Sequence, residues 1–146
     1  MSQEKINVVV AGATGYVGLD LVYYLTKHPK INISYLCAQK NLGRDIQYFD
    51  KRIKKKLPNI SKLNRVDWSN VDLLFLSLPS GEAQKIIKKL YYHQHLKFID
   101  LSADFRINNF NDYKKWYLIN HSAKNLINKS IYSIPEFTKE RQKKFR

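Results

Sequence analysis

The sequence predicts an α/β fold, a doubly wound and mostly parallel sheet, and three observations carry that expectation. Short β-branched apolar runs alternate with stretches of helical spacing; a glycine turn, Gly12 to Gly18, lies between the first run and the first helix; and a Pro-Ser-Gly turn repeats the order of strand, turn and helix further along.

Ile6 to Ala11 is short, β-branched and almost continuously apolar, as a strand buried on both faces must be. Beyond the glycines, Val17, Leu21, Val22 and Leu25 recur at helical spacing. Pro29 stops that helix, and Lys27 and His28 place positive charge at its carbonyl end. Ile31 to Cys37 reads as a second strand, completing a βαβ unit whose strands are parallel. Residues 40–66 are polar and basic, carry Gly43 and Pro58, and predict a loop with at most one short irregular helix. A buried strand is expected over Val71 to Leu78, closed by Pro79-Ser80-Gly81, then a helix through Ala83, Ile86, Ile87 and Leu90. Lys97 to Leu101 predicts a fourth strand and Ile131 to Ile134 a short fifth.

At 146 residues, with 44% hydrophobic and 13% aromatic side chains, the chain has the length of one domain and enough apolar material for a core, which excludes disorder as its main state. No apolar run is long enough to span a membrane, and Met1 to Lys5 lead into too short a run for a signal sequence, so a cytoplasmic protein is expected. The lone Cys37 excludes an internal disulfide, and no spaced Cys or His pair offers a metal site. Cys37 lies in a strand among apolar neighbours, where a buried, inert thiol is expected. His28, His93, His95 and His121 show no catalytic or metal spacing and are read as structural.

The net charge of +14 by itself suggests nucleic acid as a partner. The same chain is rich in Asn, Ile and Tyr, however, which points to a compositional bias on tolerant surface positions. The basic stretch from Lys51 to Lys56 is accordingly read as a solvated loop or crossover, and a nucleic-acid partner is not expected.

Gly12-Ala13-Thr14-Gly15-Tyr16-Val17-Gly18 stands where strand gives way to helix. There glycines allow a sharp turn and close approach of a pyrophosphate to backbone N–H groups, so a Rossmann-type dinucleotide site is expected. The end of the second strand reads Cys37-Ala38-Gln39-Lys40, without the carboxylate that usually holds the ribose hydroxyls of NAD. Lys40 and Arg44 can instead pair with a 2′-phosphate, which favours NADP; the alternative is that both belong to the general lysine and arginine excess. Pro79-Ser80-Gly81 serves either as passage for the middle of the cofactor or as a helix start, and the two are compatible. Ser102, Asp104 and Arg106 gather at the end of the fourth strand. Arg106 suits a phosphate or carboxylate on a substrate, while an Asp104–Arg106 ion pair with Ser102 as a cap is the slightly favoured structural alternative.

Together these strings resemble the N-terminal part of the N-acetyl-gamma-glutamyl-phosphate reductases, in the semialdehyde dehydrogenase superfamily. The carriers are Gly12 to Gly18, Leu25-Thr26-Lys27-His28-Pro29, Leu76 to Gly81 and above all Ile99 to Arg106; Tyr113, Trp116-Tyr117, His121 and Tyr132 to Glu136 follow in order. The resemblance implies an NADPH-dependent reduction of N-acetyl-L-glutamyl 5-phosphate to the 5-semialdehyde plus phosphate, in arginine biosynthesis, by a homo-oligomeric parent enzyme. It implies that the catalytic cysteine and histidine lie beyond Arg146. The chain is then an NADP-binding domain of residues 1–146, incomplete at its C-terminal end, without an α+β catalytic domain or turnover of its own. By position it implies Gly12, Ala13, Thr14, Gly15, Tyr16 and Val17 along the pyrophosphate and Gln39 and Lys40 at the adenosine phosphate. Ser80 and Gly81 fall on the nicotinamide side, and Arg106 approaches the substrate. The sequence departs from the family at Ser80 (usually His), Leu118 (usually Gly) and Asn41-Leu42. Alternatives are a stand-alone NADP-binding or regulatory module, an aminoadipyl-phosphate reductase or an aspartate-semialdehyde dehydrogenase.

Overall fold

A computed structural model describes residues 5–137; residues 1–4 of the lead-in and 138–146 lie outside the described residues. The described residues form two compact units, one of residues 5–78 with 91–101 and one of 79–90 with 102–137.

The first unit is built on four parallel strands, β1 (Ile6–Ala11), β2 (Ile31–Cys37), β3 (Leu73–Leu76) and β4 (Lys97–Asp100), in the order β2-β1-β3-β4. β1 is central, and its Val8, Val9 and Val10 are fully buried, which is why it lacks the alternation of a half-exposed strand. β1 and β2 begin and end where the sequence predicts; β3 and β4 are shorter. The strand predicted over Ile131 to Ile134 does not form: the segment lies outside the sheet, with Tyr132 and Ile134 about half exposed. Four residues closed by Pro135 hold too little information to separate a strand from extended coil.

α1 (Tyr16–Lys27) connects β1 to β2 and buries Gly18, Val22 and Leu25. Val22 and Leu25 join Val8, Val10, Ile31, Ile33 and Leu36 in the core. The segment expected to be a solvated loop contributes Ile46, Ile53, Leu57 and Ile60 to the same core, although it has only short 3-10 turns. Its lysines face water and its isoleucines face the sheet. Arg52 ties this crossover down, binding Asp50 through both carboxylate oxygens, reaching Asp20 of α1, and lying over the Tyr23 ring at 4.8 Å. These bonds hold the Asp50 carboxyl below its ordinary range.

The second unit contains α2 (Glu82–Leu90), α3 (Phe110–Tyr117) and a short turn of helix, α4 (Lys124–Ile127). Neither α3 nor α4 was legible from spacing. Asn109 caps α3, accepting from the N–H groups of Asn111 and Asp112 at 2.8 and 3.3 Å. α3 ends on Leu118 in the left-handed region, φ 58°, a backbone conformation that favours glycine. A leucine there carries a steric cost that glycine avoids, and at 86% exposure its side chain returns little burial. Leu118→Gly is expected to stabilise the chain by about 1 kcal/mol, read as a rise in urea midpoint; an unchanged or lower midpoint would refute this.

Candidate functional site

The glycines of the turn after β1 differ in what they do. Gly12 has φ +82°, and a Cβ built on it would lie 1.9 Å from the backbone oxygen of Ser77; one on Gly18 would lie 2.1 Å from the oxygen of Gly12. Both are required by the protein's own backbone. Gly15 is not: its φ is −76°, and among the described residues a Cβ there would meet only the Gly12 oxygen at 3.5 Å, an ordinary contact. The turn is anchored on β2, with the N–H groups of Gly12 and Ala13 both donating to the Cys37 carbonyl, at 2.9 and 3.1 Å.

α1 opens on this turn without a side-chain cap and without an acidic residue in its first turn. Its leading N–H groups precede any intrahelical acceptor and carry the positive end of the helix dipole. Gly15, Tyr16 and Val17 are exposed around them, while Ala13 is buried and Gly12 and Thr14 are half-buried. This is an arrangement that can take an anion.

α2 is built the opposite way. The carboxylate of Asp104, fully buried, accepts from the N–H groups of Gly81 at 2.7 Å and Gln84 at 3.0 Å, and Glu82 adds an acid to the first turn. An internal anion therefore already occupies the start of α2. Gly81 sits at φ +92°, which accounts for a glycine there on backbone grounds, and Ser80 beside it is exposed.

Asp104 is the hub of a buried network. Its Oδ1 also accepts from the Tyr113 hydroxyl at 2.6 Å, and that hydroxyl accepts from Gln84 Nε2 at 3.1 Å. Gln84 Oε1 in turn accepts from the Ser122 N–H. Burial, then the hydrogen bond to Asp104, pushes the Tyr113 phenol well above its ordinary range. His121 Nδ1 accepts from the Ala123 N–H at 3.1 Å, so its proton rests on Nε2, 2.9 Å from the Asp104 carbonyl oxygen to which it donates. The ion pair expected between Asp104 and Arg106 gives way to this network. Arg106 Nε donates to the Ser102 carbonyl at 2.8 Å, its guanidinium lies over the Tyr132 ring at 5.8 Å, and the Ser102 hydroxyl accepts from the Asp104 N–H. The sequence held one signal for the network: Gln84 is the only polar residue among the buried positions of α2.

Burial, as the main cause, lowers the pKa of His121 from its ordinary 6.5. Below pH 6.5 the unfolded chain then binds a proton that the folded chain refuses, so stability falls as the pH drops. Asp50 and Asp67, both held below 3.8, act in the same direction only at far lower pH. The urea midpoint should therefore be lower at pH 5.5 than at pH 7.5; equal midpoints would contradict a neutral, buried His121.

The end of β2 carries the other predicted residues. Cys37 is buried and its thiol is pushed up to about 11, mainly by desolvation, which suits an inert side chain. Against the ordinary value of 9.0, that leaves about a hundredfold less thiolate. A disulfide reagent at pH 8 should label the native chain at least about a hundredfold more slowly than the urea-unfolded chain; comparable rates would show an accessible thiol.

Beyond Cys37 the chain makes a closed excursion. Ala38 N–H donates to the Ser61 carbonyl at 3.1 Å, Gly43 N–H to the Ile60 carbonyl at 2.8 Å, and Ile60 N–H to the Arg44 carbonyl at 2.9 Å. Both ends of the loop thus rest on Ile60 and Ser61, and Gln39, Lys40 and Arg44 stand exposed on it. Among the described residues no group of three His, Cys, Asp or Glu side chains is placed to hold a metal, and no helix is long and apolar enough to cross a membrane.

Comparison with known proteins bears on the family and the fold. N-acetyl-gamma-glutamyl-phosphate reductase of Ehrlichia ruminantium is 42% identical over 97% of this chain, and the chain covers 41% of that protein. The probable chloroplastic N-acetyl-gamma-glutamyl-phosphate reductase of Oryza sativa is 39% identical over 92% of this chain, which covers 32% of it. The chain therefore spans well under half the length of these relatives. In fold it is similar to aspartate semialdehyde dehydrogenase II of Vibrio cholerae, with a TM-score of 0.56 and 23% identity over 70% of this chain and 32% of that one. The Candida albicans aspartate semialdehyde dehydrogenase, solved with NADP, gives 0.55 and 21% over 70% and 31%. The profile of the semialdehyde dehydrogenase NAD-binding domain matches residues 7–145, and the chain belongs to that family.

Proposed function

We propose that the chain is the NADP-binding part of an acyl-phosphate reductase, which reduces N-acetyl-L-glutamyl 5-phosphate to N-acetyl-L-glutamate 5-semialdehyde and phosphate in arginine biosynthesis. The observation that carries the reading is the start of α1: an uncapped helix N-terminus without acidic residues in its first turn, faced by a Gly15 that no contact among the described residues requires. The reductase relatives, about 40% identical along nearly the whole chain, support the substrate class.

In this reading Gly12 to Val17 receive the pyrophosphate, Gln39 and Lys40 the adenosine phosphate, and Ser80 and Gly81 the nicotinamide side. NADPH supplies the hydride when bound. The chain's own residues donate backbone N–H groups to phosphate. Arg106, a planar guanidinium oriented by its bond to the Ser102 carbonyl, is suited to a phosphate or carboxylate on the substrate. The nucleophile of the reaction is not Cys37, whose buried thiol is held far from the thiolate form.

Titration of the 146-residue chain with NADPH and NADH, followed by nucleotide fluorescence, tests the reading. Binding of NADPH at least about tenfold tighter than NADH is expected, because charge-assisted bonds to a 2′-phosphate contribute roughly 1.5–3 kcal/mol. Equal affinities would overturn the choice of NADP. Absence of binding by both would overturn the nucleotide site.

A further inference from the structure

We infer that Tyr48 is a specificity-determining positioning residue, whose ring holds the Arg44 guanidinium ready for the 2′-phosphate of NADP. The inference rests on the proposed NADP reading and adds to it a residue that makes no phosphate contact itself.

Two arginines of the first unit lie over tyrosine rings, and they differ in what neutralises them. Arg52, over Tyr23, is saturated by Asp50 and Asp20. Arg44, with its Cζ 4.7 Å from the centre of the Tyr48 ring, has no acidic side chain within ion-pair distance among the described residues. The adjacent Asp45 is engaged elsewhere, accepting from the Gln47 N–H at 2.8 Å as the cap of the Ile46–Tyr48 turn. A guanidinium that stacks on a ring keeps its N–H donors for an oxyanion, because the ring uses its face and not its donors.

The platform is fixed from below. Tyr48 packs edge-on against Phe49, with ring centres 5.2 Å apart at 77°; Phe49 packs on the sheet core, and Ile46 of the same turn is fully buried. The backbone at Arg44 is equally constrained, since its carbonyl accepts from Ile60 and the neighbouring Gly43 N–H donates back to Ile60. The same pair, Ile60 and Ser61, holds Ala38 at the exit of β2, and β2 holds the glycine turn through the Cys37 carbonyl. Arg44 is thus tied by short, consecutive hydrogen bonds to the strand end beside the proposed pyrophosphate site. An arginine confined in this way loses less rotamer entropy on meeting a phosphate than a free one.

The test is binding of NADP+ and of NAD+ to the 146-residue chain and to its Y48F, Y48L and R44Q variants, by calorimetry at constant salt. R44Q should weaken NADP+ on the order of tenfold or more and leave NAD+ within about twofold. Y48L should weaken NADP+ by about two- to fivefold, again without affecting NAD+, and Y48F should restore the wild-type preference because the ring rather than the hydroxyl acts. Equal losses for both nucleotides in Y48L would make Tyr48 merely structural and overturn the inference, as would a Y48L chain with unchanged NADP+ affinity. Wild-type chain that binds neither nucleotide would overturn the proposed function and this inference together, so the two failures are separable.

Discussion

Gly15→Ala should leave the chain folded and cost it most of its dinucleotide affinity, whereas Gly12→Ala should cost it the fold. At Gly15 the backbone already has a conformation open to alanine, and the new methyl group meets nothing closer than 3.5 Å. The stability change is expected within about 1 kcal/mol, a smaller unfolded-state entropy offsetting a poorer helix start. NADPH binding should fall tenfold or more, since on the proposed reading the methyl group stands where the pyrophosphate reaches the N–H groups. At Gly12 a methyl group would lie 1.9 Å from the Ser77 oxygen in a left-handed backbone. The cost there is about 3 kcal/mol or more, with loss of soluble protein or a Tm lowered by more than about 10 °C. Thermal unfolding and nucleotide titration of the two variants separate the effects. A Gly15→Ala chain that binds NADPH as well as wild type would remove this turn from the site.

Asp104→Asn should be among the most destabilising single changes in the second unit. The carboxylate accepts three bonds, from Gly81, Gln84 and Tyr113, through two oxygens. Asparagine offers one oxygen, and its NH2 must confront at least one of those donors in a buried setting. A loss of about 2–3 kcal/mol is expected, and about 1–2 kcal/mol for Tyr113→Phe, which leaves Asp104 and Gln84 each short of a partner. Because both act on one network, the double variant should lose clearly less than the sum of the two. Urea unfolding of the four chains measures the coupling. Strict additivity would show that the Tyr113 hydroxyl and Asp104 do not act as a unit.

The elements readable in advance were those whose signal is local. β1 and β2 were recovered residue for residue because continuous β-branched runs, bounded by Gly12 at one end and by Pro29 and Cys37 around the other, admit few alternatives. α1 showed through Val17, Leu21, Val22 and Leu25 and its stop at Pro29. The segment around Ile53 reads as a solvated loop because lysines dominate it: Ile46, Ile53, Leu57 and Ile60 stand seven, four and three residues apart, a helix-like spacing, yet the segment forms only short 3-10 turns and it is tertiary packing that brings the four side chains into one core. Ile131 to Ile134 is the reverse case, a short run that predicts a strand and lies outside the four-stranded sheet. α3 leaves no apolar stripe in the sequence, because most of its side chains face water and only Tyr113 is buried.

The candidate site divides along the same line. Glycine spacing between a strand and a helix places the tight turn and the uncapped start of α1, since backbone geometry and the helix dipole follow directly from residue type and order. The absence of a carboxylate after β2 was likewise a matter of reading residues in order. What the sequence by itself determined, then, was the α/β fold class, the glycine turn between β1 and α1, and the family. The tertiary structure alone decided that Gly12 and Gly18 serve the backbone while Gly15 does not, and that Asp104 serves Gly81, Gln84 and Tyr113 rather than Arg106. It also decided that, among the described residues, Arg52 and not Arg44 has acidic side chains within ion-pair distance. Each of these depends on which groups meet across long sequence separations, and burial then makes the pairing obligatory, because a polar group removed from water must find its partner inside the protein.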